Sequence, residues 1–386
     1  MKKKAVIISF YESNNIGDLM ISGTLSKILS KIYEIIEIDF STTCPPKNSS
    51  IITVSQKSVY SRTKKIISSY FPWLFSFFSV TKMLYFNSYD ILQDSIKSCD
   101  TVFLAGGNMF MKTYTYKANH IIKICKRMGK NVNVVFVGIG PLQNLSQRNI
   151  TRKAINQCSY VSVRDNYSKK LLDELSVNKK VFIWRDPAFL MNWQIPHKEK
   201  SCIIGINIFF GTDEKRKNII KNAYVDIIER LCEELPGYAL SLFSTEMSDY
   251  RQVELVFNDV FSHKNVSVVR INDMAELFDF YRSVKIVLGA RMHAMITAFT
   301  QRIPVVALSW QKKHESLFEF LDFNDSLFRM NQIENNIENI VQQILSKLNC
   351  YQENVLSLNV KMKIVKQSIE DDLNNFLESD RCNHEL

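Results

Sequence analysis

Short apolar runs alternate with longer segments of helical periodicity along most of this chain. Apolar runs bounded by polar or glycine-containing turns predict buried strands, and apolar positions recurring every three to four residues predict helices. The clearest helical segments are Glu214–Leu235, Asp249–Phe261 and Asp273–Ser283, and residues 336–386 have the pattern of an amphipathic helix. The predicted strands are Ala5–Phe10, Ile35–Phe40, Thr101–Ala105, Asn133–Val137, Tyr160–Val163, Val181–Trp184, Cys202–Ile208, Tyr238–Phe243, Val266–Arg270, Lys285–Leu288 and Pro304–Leu308.

Regular alternation of strands and helices predicts mostly parallel sheets covered by helices. The alternation restarts after residue 200, and 386 residues are enough for two domains with separate cores. We therefore predict two α/β domains, residues 1–195 and 196–386, that face each other across a cleft. Ligands of such sheets bind at the carboxyl ends of the strands, so the functional residues are sought there.

Composition narrows the choice of partners. With 46% apolar and 23% charged residues the chain is an ordinary soluble protein, which excludes disordered, collagen-like and coiled-coil classes. A net charge of +10 favours an anionic partner: a nucleic acid, a membrane surface or an acidic metabolite. The eight cysteines are scattered without a CxxC pair, which predicts a reducing, cytoplasmic location. No apolar stretch reaches the ~20 residues that a membrane span requires.

Residues 57–86 combine basic and aromatic side chains. Lys57, Arg62, Lys64 and Lys65 precede the aromatic run Tyr70–Phe78. This mixture suits an element lying on an anionic membrane surface, and packing beneath the first sheet explains it equally well. It also suits RNA, but no RNA- or DNA-binding signature accompanies it, so nucleic acid is disfavoured as a partner.

Four glycine- or asparagine-containing turns follow predicted strands: Asn14–Asp18, Gly106–Asn108, Gly138–Pro141 and Gly289–His293. Glycine lets a backbone approach a ligand closely, and the N-terminus of the next helix offers N–H groups to an anion. Tight turns also need glycine for steric reasons, so each turn alone is ambiguous. Because all four turns lie at strand ends, together they favour a ligand site, although none matches the GxGxxG or P-loop pattern.

The fourth turn has the most reactive side chains. Arg291 can hold a phosphate or carboxylate through two parallel N–H bonds, and the imidazole of His293 can exchange a proton near neutral pH. The alternative is that Arg291 pairs with a local carboxylate and His293 caps a helix or packs in the core. Lys313, beyond the next strand, adds a second cationic group at the same sheet edge and favours an anion site.

Arg164 and Asp165 follow the strand Tyr160–Val163 in the same way. Asp165 is well placed to cap the next helix, and Arg164 is either solvated or part of a site. Asp186 is either a turn residue or a carboxylate in the cleft. The histidines lack metal-ligand spacing, and no separated Asp-x-Asp motif is present, so no metal is predicted.

Taken in order, these motifs resemble those of the polysaccharide pyruvyltransferase family, from about residue 10 to residue 325. The matching residues are Asn15-Ile-Gly-Asp18, Gly106-Gly-Asn108, Gly138-Ile-Gly-Pro141, Val163-Arg-Asp165 with Ser168, Asp186-Pro-Ala-Phe189, Asp249, Gly289-Ala-Arg-Met-His-Ala294, Ile303-Pro304 and Lys313. The resemblance implies a GT-B-like pair of Rossmann-type domains. It also implies transfer of pyruvate from phosphoenolpyruvate to sugar hydroxyls, with formation of a ketal and release of phosphate, and without a separate cofactor.

The resemblance and the chemistry of the side chains together give the candidate residues their roles. The resemblance implies that Arg291 and His293 lie in the donor site. We expect this site in the C-terminal domain and the acceptor in the N-terminal domain. His293, Arg291 and Asp18 are the catalytic candidates, and Asp186 is the alternative to Asp18 as base. The expected donor-binding residues are Arg164, Arg291, Lys313, Gly289, Gly106, Gly107 and Asn108, and the expected acceptor-binding residues are Asn15, Gly17, Asp18 and Asp186.

Two other functions remain open from the sequence. One is a GT-B glycosyltransferase that uses a nucleotide sugar, and the other is a non-catalytic scaffold of a polysaccharide assembly complex. The positive charge and residues 57–86 also favour a lipid-linked acceptor and a peripheral position on the inner face of the cell membrane.

Overall fold

The computed structural model describes residues 2–40, 88–112, 114–191 and 201–382. They form two compact units: a first unit of Met1–Ser13 with Ile21–Asp186, and a second unit of Asn14–Met20 with Pro187–Leu386. The sequence places the domain boundary at 195/196, whereas the units divide after Asp186 and the second unit also takes in Asn14–Met20. The aromatic-basic segment 57–86 lies outside the described residues.

The first unit contains a six-stranded sheet in the order β2-β1-β3-β4-β5-β6, with every pair of strands parallel. Helices cover it, so strands such as β3 are buried along their whole length and consist almost entirely of apolar residues. Its elements are β1 (Lys3–Ser9), α1 (Ile16–Leu29), β2 (Tyr33–Asp39), α2 (Ser88–Ser98), β3 (Thr101–Ala105), α3 (Tyr114–Arg127), β4 (Asn131–Val137), α4 (Leu145–Asn156), β5 (Tyr160–Val163), α5 (Asn166–Glu174) and β6 (Phe182–Ile183). Helix α1 begins in the residues assigned to the second unit.

The second unit contains another six-stranded parallel sheet, in the order β12-β11-β10-β7-β8-β9. Its elements are β7 (Ile203–Asn207), α6 (Lys217–Glu234), β8 (Ala239–Phe243), α7 (Tyr250–Val260), β9 (Val266–Val268), α8 (Met274–Ser283), β10 (Val284–Gly289), α9 (Met292–Thr300), β11 (Val305–Ser309), α10 (Lys312–Leu321), β12 (Leu327–Arg329), α11 (Ile337–Asn349) and α12 (Tyr351–Cys382). Short 3₁₀ turns occupy Pro187–Leu190, Glu214–Arg216, Met247–Asp249, Asn324–Ser326 and Met330–Asn335.

The strand order of the second unit defines where a ligand can bind. Numbered from β7, it is the order of the Rossmann fold, in which the chain reverses direction across the sheet between its first and fourth strands. Those strands are β7 and β10, and Ile206 of β7 pairs with Leu288 of β10. The crevice at such a switch point is the usual ligand position in α/β sheets. Here it lies between the loops that follow Asn207 and Gly289.

Each of the predicted strands corresponds to an observed one, and the α/β class with parallel sheets is confirmed. Strand β12 was not predicted because its three residues, Leu-Phe-Arg, are too few to show a period. The sequence predicts one helical pattern over 336–386, whereas the described residues form two helices, Ile337–Asn349 and Tyr351–Cys382, because the chain leaves helical geometry at Cys350. Among the described residues, no helix is long and apolar enough to cross a membrane.

Candidate functional site

The loop after β10 is fixed by a side chain from the end of β7. Asn207 Oδ1 accepts hydrogen bonds from the backbone N–H groups of Ala290, at 3.2 Å, and Arg291, at 2.8 Å. Gly289 allows helix α9 to begin close to the strand, because a Cβ there would lie 2.5 Å from Met295 Cγ. The sequence Gly-Ala-Arg-Met-His thus places Arg291 and His293 at the switch point of the second unit.

Arg291 is engaged by carboxylates from the loop after β8. Its Nε donates to Asp249 Oδ2 at 2.8 Å and its Nη2 to Asp249 Oδ1 at 2.9 Å. Nη2 also lies 3.0 Å from Glu246 Oε2, and the guanidinium carbon sits 3.8 Å from the centre of the Phe209 ring. The sequence left open whether Arg291 pairs with a nearby carboxylate, and the structure shows that it does, with Asp249 and Glu246. The Nε–Nη2 edge is occupied, and Nη1 makes no hydrogen bond to described residues.

Asp249 neutralises Arg291 from a buried position. It is only 2% exposed, and burial raises the pKa of its carboxyl group, while the charge of Arg291 opposes that shift. Ser244 Oγ adds a hydrogen bond to Asp249 Oδ2 at 3.2 Å. Asp249 belongs to the motifs that carry the family resemblance, but sequence reasoning gave it no role. Glu246 and Phe209 were missed entirely.

The first of the four turns, Asn14–Asp18, contacts the loop after β8 that supplies the carboxylates around Arg291. Ile16 N–H donates to the carbonyl of Thr245 at 3.2 Å, and Asn15 Nδ2 lies 3.4 Å from Glu246 Oε2. Asn15 Oδ1 accepts the N–H of Gly17 at 2.9 Å, which starts helix α1. Asn15, one of the predicted acceptor residues, therefore lies beside Glu246, one of the carboxylates that hold Arg291.

Gly17 packs directly against the ring of His293. His293 is 8% exposed, and a Cβ on Gly17 would lie 1.9 Å from its Nδ1 and 2.6 Å from its Cβ. Only a residue without a side chain fits at that distance. Asp18 follows in the first turn of α1 and is half-buried.

We predict that Gly17→Ala displaces the His293 ring and lowers turnover by up to about 10²-fold, because misplacing a reacting group by about 1 Å has an effect of that size. Gly23→Ala in the same helix is the matched control. A Cβ on Gly23 meets nothing within 4 Å, so this variant keeps its activity and gains up to about 1 kcal/mol of helix stability. Steady-state rates and thermal melts of both variants test the contact. Equal rates for the two variants would contradict it.

The first turn of helix α10 contains Lys313 and His314, whose exposed fractions are 3% and 0%. The pKa of His314 is lowered to about 3, chiefly by burial, and further by the positive charges of Arg291, His293 and Lys313. Its Nε2 lies 3.1 Å from Gln311 Nε2. The sequence assigns Arg291, His293 and Lys313 to one sheet edge. All three therefore lie near the buried imidazole of His314.

His314 should make stability depend on pH. Because its pKa in the folded state is about 3 and that of an unfolded histidine is ~6.5, only the unfolded chain takes up its proton between these values. The free energy of unfolding therefore has its full value above pH ~6.5. As pH falls toward 3, it decreases by up to about 1.4 kcal/mol per pH unit. We predict that His314→Gln flattens this slope in urea titrations. Leu317→Ala, a buried change in the same helix, should lower stability equally at every pH. A slope unaltered by His314→Gln would refute the assignment.

The remaining predicted residues lie together in the first unit. Arg164, at the end of β5, donates from Nη1 to Asp186 Oδ2 at 2.9 Å and from Nη2 to Asn108 Oδ1 at 3.3 Å. The side chains of Arg164 and Asp186 are 3% and 2% exposed. Gly106 and Gly107 have φ values of +70° and +61°, a region that favours glycine, and they turn the chain toward Asn108.

Asp165 is the N-cap residue of α5, as predicted, with Oδ1 accepting from Ser168 N–H at 2.7 Å. The predicted donor set divides between the units: Arg164, Gly106, Gly107 and Asn108 belong to the first, and Arg291, Lys313 and Gly289 to the second. The acceptor set divides as well, with Asn15, Gly17 and Asp18 in the second unit and Asp186 in the first. The roles of these residues remain predictions.

Solved structures place the fold in the GT-B-like class. UDP-GlcNAc 2-epimerase from Neisseria meningitidis, bound to UDP-GlcNAc, is similar with a TM-score of 0.57 and 14% identity over 98% of this chain and 100% of that chain. The S. aureus MnaA–UDP structure has a TM-score of 0.57 and 14% identity over 93% and 90% of the two chains. Anabaena HepE in complex with UDP and glucose has a TM-score of 0.54 and 10% identity over 98% and 100%. Identities this low show the fold alone.

The assignment of this chain to a family comes from its sequence. The family described as polysaccharide pyruvyl transferase has a sequence model that matches residues 15–312, which is more than half of the chain. The chain therefore belongs to the polysaccharide pyruvyl transferase family, as its motifs suggested. A search of curated proteins gave no match.

Proposed function

We propose that this protein transfers pyruvate from phosphoenolpyruvate to two hydroxyls of a saccharide, with formation of a ketal and release of phosphate. Membership of the pyruvyl transferase family supports the class of reaction. The observation that carries the proposal is the position of Arg291 and His293 in the loop and helix that follow β10, with Arg291 held by Asn207 and Asp249. Phosphoenolpyruvate is a substrate of this reaction, and we propose no separate cofactor.

Phosphoenolpyruvate has a phosphate and a carboxylate on three carbons, so its site must supply several positive groups. In the second unit we assign this task to Nη1 of Arg291, to Lys313 and to the N–H groups that begin α9 after Gly289. Asp249 holds the other edge of Arg291 and so fixes the direction in which Nη1 points. In the first unit Arg164 is matched by Asp186, and we assign this pair to position Asn108 and the Gly106–Gly107 turn.

The proposed reaction begins when protonated His293 gives its proton to the methylene carbon of phosphoenolpyruvate, which leaves C2 electron-deficient. A sugar hydroxyl adds to C2 while Asp18 takes the hydroxyl proton, which returns to the imidazole through solvent. The C2–O bond to phosphate then breaks, with the charge stabilised by Arg291 and Lys313. A second hydroxyl adds to C2, its proton leaves with the phosphate, and the ketal is complete.

The function is tested with the full chain, phosphoenolpyruvate and a panel of methyl glycosides that carry vicinal or 1,3-related hydroxyls. We expect phosphate release that depends on both substrates, and a product in which the two hydroxyl protons have been replaced by one pyruvyl ketal, identified by mass and by its methyl resonance. Phosphate release without a saccharide, or no release with any acceptor of the panel, would refute the proposal.

Transfer from a nucleotide sugar is the second candidate. The similar structures from Neisseria meningitidis, S. aureus and Anabaena contain UDP-GlcNAc, UDP, and UDP with glucose, respectively. Thermal stabilisation separates the two functions, because a ligand at about 100 times its Kd stabilises the folded state by about 2.7 kcal/mol. A pyruvyl transferase is stabilised by phosphoenolpyruvate and not by UDP, whereas a glycosyltransferase gives the reverse result.

A further inference from the structure

A cavity of about 340 Å³ lies at the carboxyl ends of β7, β11 and β12 in the second unit. Its wall is built from the loops that follow these strands, including Phe210–Asp213, Ser309–Lys312 and Met330–Asn331. Its volume falls at the lower end of the ~300–1,000 Å³ typical of small-molecule sites. No role was assigned to these residues in the reaction above.

The cavity adjoins the Arg291 centre through Trp310. The Trp310 ring is part of the cavity wall, and its centre lies 5.9 Å from the guanidinium carbon of Arg291. Trp310 Nε1 donates to the carbonyl of Ala290 at 3.0 Å, which fixes the ring against the Arg-x-His turn. A ligand in the cavity would therefore lie beside the proposed reaction centre.

The cations of the cavity wall are paired with carboxylates, one of which, Glu334, lies outside the wall. Arg216 donates to both carboxylate oxygens of Glu334, at 2.5 and 2.6 Å. Glu315 lies 2.7 Å from Lys312 Nζ and 3.5 Å from Arg329 Nε. The three cations therefore have carboxylate partners, and Asp213 adds one more negative charge. A doubly acidic ligand such as phosphoenolpyruvate needs an excess of positive charge, which this cavity lacks.

The same lining suits a polyhydroxylated, uncharged ligand. Carboxylates, amides and guanidinium groups together provide acceptors and donors, and each sugar hydroxyl can use both. Trp310 and Phe210 provide apolar ring surface against which the C–H face of a pyranose can pack. The polar groups stand on ordered loops, since Asp213 caps the turn at Lys215 and Phe210 N–H donates to Gln252 Oε1 at 2.7 Å.

We propose that this cavity binds the acceptor as an uncharged sugar unit, with its ring against Trp310 and its hydroxyls on Asp213, Glu315 and Asn331. The description of the sugar as the acceptor rests on the proposed pyruvyl transfer, whereas binding of a saccharide in the cavity does not. The cavity then selects which sugar presents its hydroxyl pair to the donor, and it is an acceptor subsite separate from Asn15, Gly17 and Asp18.

The test uses the full chain and three probes: methyl β-D-galactopyranoside, methyl β-D-glucopyranoside and methyl 2-acetamido-2-deoxy-β-D-glucopyranoside. Saturation-transfer NMR reports binding directly, without turnover. The variant Asp213→Ser with Asn331→Ala removes a carboxylate and an amide from the wall while serine keeps the cap. Asn258→Ala, on the exposed face of α7, is the matched control.

We expect at least one glycoside to receive saturation from the wild type and the control, and the double variant to lose that signal. In turnover, the double variant should raise KM for the acceptor about tenfold or more and leave KM for phosphoenolpyruvate unchanged; tenfold corresponds to about 1.4 kcal/mol. Absence of binding by all three glycosides, binding that the double variant leaves intact, or a rise in KM for phosphoenolpyruvate would each overturn the inference.

These results separate the inference from the function on which it rests. Saccharide binding that is lost in the double variant, with no phosphate release from phosphoenolpyruvate, would keep the sugar site and reject pyruvyl transfer. Phosphate release with normal acceptor KM in the double variant would keep pyruvyl transfer and reject the sugar site.

Discussion

Replacing His293 with alanine should lower turnover by about 10²–10⁴-fold, the range that a positioned general acid contributes. The proposed reaction starts with protonation of a carbon, and no other described side chain at the Arg291 turn offers an imidazole apart from His314. His314 is fully buried, and its pKa of about 3 keeps it neutral at physiological pH. Loss of His293 therefore removes the proposed acid, and the neighbouring imidazole of His314 cannot replace it.

The measurement is the rate of phosphate release at saturating phosphoenolpyruvate and acceptor. His263→Ala, in the turn after α7, is the control and should keep the wild-type rate. Thermal melts show whether the variant is folded, since His293 packs against Gly17 and its truncation leaves a small void. A folded His293→Ala protein with wild-type turnover would eliminate His293 as the acid, although the pyruvyl transferase family assignment would stand.

The sequence was sufficient to predict most of the strands and the turns at their ends. Alternating strand and helix patterns located most strands, because buried parallel strands are continuous apolar runs that stand out from amphipathic helices. The same logic located Arg291 and His293, which follow a strand directly. It could not give the strand order that makes the ends of β7 and β10 a switch point, because pairing between distant strands leaves no local signal.

Partners that are far apart in the chain were missed for the same reason. Asp249 lies 42 residues before Arg291, and nothing in the intervening sequence connects the two. The contact of Gly17 with His293 is also tertiary, and the glycine alone reads as part of a turn. Sequence reasoning therefore identified Arg291 and left its carboxylate partners, Asp249 and Glu246, without a role. The partners decide which guanidinium edge of Arg291 can meet a ligand.

Arg164 and Asp186 illustrate how such pairing changes a prediction. From the sequence, one was assigned to the donor and the other to the acceptor or to the role of base. Their side chains instead form an ion pair with each other, 22 residues apart, in the interior of the first unit. A carboxylate that neutralises a buried arginine is poorly placed to take a proton from a sugar, and this favours Asp18 as the base in the proposed mechanism.

Breaking the buried Arg164–Asp186 ion pair should have a large effect on the free energy of unfolding. Asp186→Ala should lower the free energy of unfolding by about 3–5 kcal/mol, because it leaves the Arg164 charge buried without its partner. Replacing both residues with apolar ones, Arg164→Met with Asp186→Leu, should recover much of that loss, since the charge and its counterion leave together. Urea titration followed by circular dichroism gives the free energies. Asp173→Ala, which breaks the exposed Lys169–Asp173 pair in the same unit, should change stability by at most about 1 kcal/mol.

The double variant also separates a structural from a binding role. If the pair serves only to hold the Gly106–Asn108 turn, Arg164→Met with Asp186→Leu should remain folded and retain most of its kcat, although it loses the hydrogen bond from Arg164 Nη2 to Asn108. If Asp186 is the base, kcat should collapse even in a protein as stable as the wild type, while KM stays the same. A loss from Asp186→Ala as small as that from Asp173→Ala would mean that Arg164 is not confined in the interior, and the assignment of Asp186 as its counterion would fail.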